Sequence, residues 1–237
     1  MIIVCGGDGT INDVVCALAH SRIPLAILPG GTANMLAREL GLPLDLVAAA
    51  RKIPASRPRR VALGLAGDRY FISVAGAGFD ARVVHGLNWR WKALFSMGSY
   101  VLEAIRQMLF APPGSSFVVS NGVQRHDARF ACVARVKHYG PVRAIKEADL
   151  FSDEFYVYCF NARSRFRYLL YPWVILLSRP SRLPEFSAFS AQRVCCEATS
   201  PGEESVFLQV DGELLGTLPC TVQIVPDALT LLVPSWP

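Results

Sequence analysis

Two glycine-rich turns, each fed by a short apolar run and each opening a helical pattern, constrain this chain more than anything else in it. Met1-Ile2-Ile3-Val4-Cys5 breaks at once into Gly6-Gly7-Asp8-Gly9-Thr10. Leu25-Ala26-Ile27-Leu28-Pro29 likewise gives way to Gly30-Gly31-Thr32-Ala33-Asn34. Behind the first turn Ile11, Val14, Val15 and Leu18 recur at helical spacing. Behind the second Met35, Leu36 and Leu40 do so, until Gly41 and Pro43 stop the helix. Two strand-turn-helix units of this kind place a crevice at the carboxyl ends of neighbouring strands.

The residue types in the turns fit an anion. Glycine lets backbone amides approach a phosphate with no Cβ in the way, and a helix N-terminus adds unpaired donors and partial positive charge. Thr10 and Thr32 are placed to cap their helices and to reach phosphate oxygens. Asp8 would repel an anion unless it helps to hold Mg²⁺ bridging to that anion. The chain has no Gly-Lys-Ser/Thr, so this is not a Walker A loop, and Gly-x-Gly-x-x-Gly of dinucleotide sites is missing from the turn as well. Two ordinary strand-to-helix turns are the plain structural alternative.

A length of 237 residues allows one large domain or two modest ones. A 52% apolar composition implies a large core or apolar surface meant for lipid. The net charge of +5 favours anionic partners such as a nucleotide or an acidic lipid, and nothing points to nucleic acid. Seven cysteines without Cys-x-x-Cys pairing read as free thiols in a reducing cytosol. The start has no basic n-region, and no run reaches the ~18 apolar residues of a spanning helix. Membrane contact, where it occurs, is expected to be peripheral.

A third helix is expected at 44–53. Pro54 and Arg57-Pro58-Arg59-Arg60 follow, read as a solvated linker or as contacts for acidic headgroups. From Val61 the period changes to two. Strands at 60–66 and 69–74 flank Gly67-Asp68 as a hairpin. Gly76-Ala77-Gly78-Phe79-Asp80 reads as a loop before a helix, with Asp80 either a cap or a cleft residue. Residues 88–110 form an amphipathic helix in their second half. Trp89-Arg90-Trp91-Lys92 is either interfacial or the rim of a core. Strands are expected at 117–120 and 129–136 around Asn121-Gly122, then at 155–160. The apolar segment at 163–177 is a flap over a substrate, a membrane-touching face or a core helix. Strands at 186–198, 206–210, 221–225 and 229–233 complete an antiparallel sandwich.

Within the last third sits Asp211-Gly212-Glu213. As a continuous strand, alternation puts both carboxylates on one face with room between them; as a turn, it is an ordinary hairpin. A carboxylate pair suits phosphoryl transfer to an alcohol, one member taking the proton and the other steadying it, and mutual repulsion would raise one pKa. Four histidines, His20, His85, His126 and His138, lack ligand spacing, and no Gly-x-Ser-x-Gly marks a hydrolase.

Gly-Gly-Asp-Gly-Thr together with Pro-Gly-Gly-Thr-Ala-Asn resembles the nucleotide-binding loops of the diacylglycerol kinase catalytic family. That family includes bacterial lipid kinases and sphingosine kinases and is related in fold to NAD kinases. The Gly-x-Gly-Phe-Asp and Asp-Gly-Glu segments extend the likeness over nearly the whole chain. The resemblance implies a nucleotide-binding α/β domain, here 1–58, and a β-sandwich domain, 59–237, with the last strand returning to the first. It implies ATP contacts at Gly6, Gly7, Asp8, Gly9, Thr10, Ile11, Asn12, Gly31, Thr32 and Asn34, with Asp8 on the catalytic Mg²⁺. Glu213 becomes the base and Asp211 its partner, the reverse assignment staying open. It also places a structural Mg²⁺ at Asp153 with the carbonyls of Leu150 and Phe155, although Glu154 stands where the family has glycine.

The implied activity is ATP-dependent phosphorylation of a lipid hydroxyl, with diacylglycerol giving phosphatidic acid ahead of a sphingoid base or another glycerolipid. The setting is a cytoplasmic enzyme touching the membrane peripherally, with a homodimer allowed. The family carries roughly 50–60 further residues ahead of the first loop, so the chain reads as short at its amino end. An inert nucleotide- or lipid-binding fragment and a NAD-kinase-like enzyme are the alternatives.

Overall fold

The computed structural model describes residues 1–86, 102–107, 115–162, 164, 167, 185–199 and 205–235. The Trp89–Lys92 stretch and most of the 163–177 segment lie outside the described residues. So does most of the expected 88–110 helix, of which 102–107 is helical.

The chain begins β1 (Ile2–Gly6), α1 (Asp8–Leu18), β2 (Leu25–Pro29), α2 (Met35–Glu39) and α3 (Leu46–Ala50). β1 and β2 pair in parallel, with Ile2 opposite Leu25 and Gly6 opposite Pro29. Their carboxyl ends therefore finish level, and both glycine turns leave from the same rim. α1 buries Ile11, Val15 and Leu18 against the sheet, as the helical spacing requires. α3 is shorter than the expected 44–53. Asp45 caps it by accepting the Ala48 amide at 2.8 Å, and a 3₁₀ turn at Ile53–Ala55 follows.

Next come β3 (Arg57–Ala66), β4 (Arg69–Phe71), β5 (Val74–Gly78) and α4 (Phe79–Gly86). The Arg57–Arg60 stretch is strand, not linker. Arg60 donates to Asp227, Ser21 O and Thr230, while the Arg59 guanidinium lies 3.7 Å over the Phe151 ring. The hairpin around Gly67-Asp68 is present, Ala66 opposite Arg69. Its second strand stops at Phe71. The chain then bends through Ile72–Ser73 into β5, which belongs to a different sheet. Gly76-Ala77-Gly78 is thus strand rather than loop.

The remaining strands are β6 (Phe117–Ser120), β7 (Arg125–Ala128), β8 (Phe130–Ala134), β9 (His138–Tyr139), β10 (Val142–Arg143), β11 (Phe155–Phe160), β12 (Phe186–Ala191), β13 (Arg193–Ala198), β14 (Phe207–Val210), β15 (Glu213–Thr217) and β16 (Cys220–Val233). One large sheet runs β1-β2-β16-β13-β6-β7, with β3 on β16 and β4 on β3; the other large sheet runs β12-β11-β8-β5-β14-β15, and β9 and β10 pair as a two-stranded ribbon. One expected strand is placed in the sheet opposite its expected partner, and another divides between the two sheets. The 129–136 strand does not pair with β6. β7 does, and the chain crosses at Arg129 into β8 of the opposite sheet. The 186–198 strand breaks at Gln192 into β12 and β13, one per sheet. Conversely, the two last expected strands are one: β16 runs unbroken past a register shift between Val225 and Leu229.

Strands that switch sheets turn the corners of a sandwich, whose interior holds Phe71, Phe117, Phe155, Val157 and Val210. Phe71 stacks on Phe155 and fills the space that a side chain at Gly64 would take. A second core under α1 and α2 joins Val4, Ile11, Ile27 and Leu36 to Phe160 and Leu229. β16 ties the two parts together. It lies antiparallel to β3 over most of its length and meets β2 in parallel at Leu231 opposite Leu25. A domain boundary at 58/59 falls inside β3. No helix among the described residues is long and apolar enough to cross a membrane.

Candidate active site

The two glycine turns are pressed together backbone to backbone. Gly30 donates its amide to Gly6 O at 2.9 Å, and a Cβ on Gly31 would stand 2.5 Å from the Gly7 Cα. Only glycine permits that approach. α1 starts at Asp8, and its N-cap, Gly7, has no side chain with which to cap it. Thr10 is therefore no cap. It lies exposed within the first turn, and the amides of Gly9 and Thr10 are those a helix leaves without an internal partner.

α2 is capped from elsewhere. Asn34 sits at φ 49°, ψ 48°; its Oδ1 accepts the Gly31 amide at 2.9 Å and its Nδ2 donates to Gly31 O at 2.7 Å. This reciprocal pair fixes the second turn, while Thr32 lies exposed beside it. Asp8 Oδ1 accepts the Met35 amide at 2.7 Å, so the carboxylate of the first turn caps the second helix. Burial raises the Asp8 pKa above the ordinary carboxylate value, against the pull of those amides. Ile11 serves by packing: its side chain is in the core and its amide closes the first turn onto Gly7 O. Asn12 is 1% exposed, and neither its Oδ1 nor its Nδ2 has a partner among the described residues.

The acidic pair comes from a turn, not a strand. Val210 and Glu213 are opposite each other in the β14–β15 hairpin. Asp211 and Gly212 form its two-residue loop at φ 46° and 83°, the left-handed pair that Asp-Gly favours. The two carboxylates consequently have different surroundings. Asp211 is buried and spans the bend at 72–74: Oδ2 accepts the Ile72 amide at 3.0 Å, and Oδ1 accepts those of Ser73 at 3.1 Å and Val74 at 2.8 Å. Burial lifts its pKa to about 6 against those amides, with the charge of Asp8 adding to the rise. Burial is thus the first cause, where repulsion within the pair was expected. Glu213 is half-exposed, and its Oε2 accepts from Arg69 Nη2 at 2.5 Å.

The ends of the chain meet at this point. A Cβ on Gly9 would stand 3.2 Å from Glu213 Oε1, so the hairpin carboxylate touches the first turn of α1. Residues absent from the sequence reading hold this contact. Arg69 also reaches Asp13 on α1 at 3.3 Å. Beneath the hairpin, Gln209 accepts from the Gly212 amide and donates to Asp80 Oδ2 at 2.6 Å, and the Tyr139 hydroxyl donates to Asp80 Oδ1. Asp80 therefore belongs to the support of the hairpin rather than to a helix cap. Nothing local in the sequence marks Arg69 or Gln209 for these roles, since their partners lie 144 and 129 residues away.

Asp8 is the single carboxylate of the glycine turns, and Mg²⁺ commonly takes one or two carboxylates with the rest of its shell from phosphates and water. The turn therefore fits a cation that arrives with a nucleotide. The 150–155 loop does not fit one: Leu150 O already accepts from Arg135 Nη2 at 2.6 Å.

The diacylglycerol kinase catalytic domain matches residues 1–66, and the YegS C-terminal NAD kinase beta sandwich-like domain matches residues 73–233. By the second match, which spans more than half of it, the chain belongs to the family of the YegS C-terminal NAD kinase beta sandwich-like domain. A YegS-like relative named as a probable lipid kinase, from Chromohalobacter salexigens, is 41% identical over 105 residues, 43% of this chain and 34% of that protein. The diacylglycerol kinase of Bacillus subtilis is 34% identical over 111 residues, 46% of this chain and 37% of its own. The matched stretch thus spans about a third of each of these curated YegS-like and diacylglycerol kinase relatives. In fold, a crystal structure of a diacylglycerol kinase from Bacillus anthracis superposes with a TM-score of 0.72 at 18% identity, covering 98% of this chain and 75% of that one.

Proposed function

We propose that this chain transfers the γ-phosphoryl group of ATP to a lipid hydroxyl, with diacylglycerol the first substrate and phosphatidic acid the product. The contact between Glu213 and the first turn of α1 carries the reading, because it brings a half-exposed carboxylate to the mouth of an anion cradle. The amides of Gly9 and Thr10, in the helix turn that lacks internal acceptors, receive phosphate oxygens, and the Gly7–Gly31 approach lets phosphate lie flat on the backbone. Asp8 would be the protein group to hold a Mg²⁺ ion bound with the nucleotide, and the ion would supply charge neutralisation.

Glu213 takes the proton of the lipid hydroxyl as its oxygen attacks the γ-phosphorus, and ADP leaves. Arg69 positions Glu213 through its 2.5 Å contact, while Asp211 is a positioning residue that fixes the hairpin through three amides. A base beside a phosphate cradle is what phosphoryl transfer to an alcohol requires, since catalysis there is mostly placement and charge. The test is transfer of label from [γ-³²P]ATP to diacylglycerol, a sphingoid base and a monoacylglycerol in mixed micelles. Labelled phosphatidic acid supports the reading. A protein that binds ATP normally and labels no lipid ends it.

A further inference from the structure

Arg135 has no surface at all, although it follows a strand whose other members are apolar. Its guanidinium donates through Nη2 to Leu150 O at 2.6 Å and through Nη1 to Ser152 O at 3.0 Å. The charges of Asp153 and Asp149 lie close enough to favour the cation, against a burial that lowers its pKa to about 10. The side chain therefore stays charged at neutral pH. Two carbonyls and two nearby carboxylates around a buried positive charge are the surroundings of a metal ion, supplied here to a guanidinium.

We infer that Arg135 replaces the structural cation of the 150–155 loop, so that this loop is held by an internal guanidinium and takes no divalent metal. Leu150 O, one of the three oxygens such a site would use, is already occupied at 2.6 Å. A second cation at Asp153 would stand close to a fixed positive charge that already draws on the same carboxylate. Glu154, which stands where a flexible glycine would let the loop wrap an ion, donates its amide to Ser152 Oγ, and Ser152 donates its own to Asp149 O. The loop thus closes on itself. Arg135 also carries the closure inward, because its main-chain amide donates to Ser73 O at 2.9 Å, in the bend that Asp211 spans. The inference is independent of the catalytic reading, since it concerns stability without nucleotide.

Thermal unfolding of the nucleotide-free chain in EDTA and in Mg²⁺ tests it, with Asp153→Asn and Arg135→Met alongside. A loop site filled roughly a hundredfold above its dissociation constant would raise Tm by about 5–10 °C. The expected result is no such rise, or one that Asp153→Asn leaves unchanged because it arises elsewhere. Arg135→Met is expected to lower Tm by at least about 5 °C, having stranded two carbonyls. A Mg²⁺-dependent rise abolished by Asp153→Asn overturns the inference, as does an Arg135→Met chain as stable as the parent. Should Arg135→Met fail to fold, the parent and Asp153→Asn still decide.

Discussion

The amino-terminal cradle and the bends beneath the hairpin pose the same backbone problem and solve it in opposite ways. Where the chain leaves β1 for α1, the N-cap is Gly7, which offers the first helical amides no side chain to cap them. Where it leaves β4 for β5, the freed amides of residues 72–74 are taken by the Asp211 carboxylate; where it turns at 150–152, the carbonyls are taken by Arg135. Irregular backbone that is closed internally is architecture. Irregular backbone left open at a rim is a place for something to bind. By this criterion Glu213 belongs to the open side and Asp211 to the closed side, although one glycine separates them.

That division can be broken experimentally. Glu213→Gln should cut kcat by about 10²–10⁴, the range for removing a general base, while the urea midpoint barely moves. A large stability loss with little change in turnover would put Glu213 with the architecture instead. Asp211→Ala should act the other way. It leaves three buried amides without acceptors, each worth about 1–3 kcal/mol, and equilibrium unfolding should show a loss of at least about 3 kcal/mol.

The acidity of Asp211 sharpens the contrast. Its folded pKa is raised to about 6 from 3.8, so the stability linked to its protonated form is complete below about pH 4 and is lost as pH rises through 6. Asp8 and Asp80 are shifted upward by burial as well, in the same sense. Unfolding free energy should therefore fall between pH 4 and 7, by roughly 3 kcal/mol at most from Asp211. A rise across that window would mean the three amides outweigh burial. Gly31→Ala is the mildest of the set. Its Cβ would meet the Gly7 Cα at 2.5 Å, and overpacking of this kind costs about 1–3 kcal/mol. The KM for ATP should rise more than that for lipid, and equal effects on both would detach the cradle from the nucleotide.

What the sequence disclosed follows the same line. The cradle was legible because its signals are local: glycines, an apolar run and a helical period lie within a dozen residues. The corners of the sandwich were not. Ile72–Ser73, Arg129 and Gln192 carry no proline or glycine, and the apolar pattern runs through each of them as though one strand continued. Asp211-Gly212 does carry a turn signal. The alternation of Leu208 and Val210 leading into it left a continuous strand open beside the hairpin, and neither pattern disclosed the burial of Asp211. Arg69 and Arg135 looked like ordinary strand positions, because their partners are set by tertiary packing and not by spacing.

β16 has a consequence for the order of assembly. Strand β2, paired with β1 on one side, has its neighbour on the other in residues around Leu231 of β16. On a ribosome, which releases the polypeptide from its amino end, the second glycine turn at Gly30–Gly31 emerges about 200 residues ahead of Leu231, which closes its sheet on that edge. Clipping the last dozen residues should therefore cripple the opening segment it never touches in sequence.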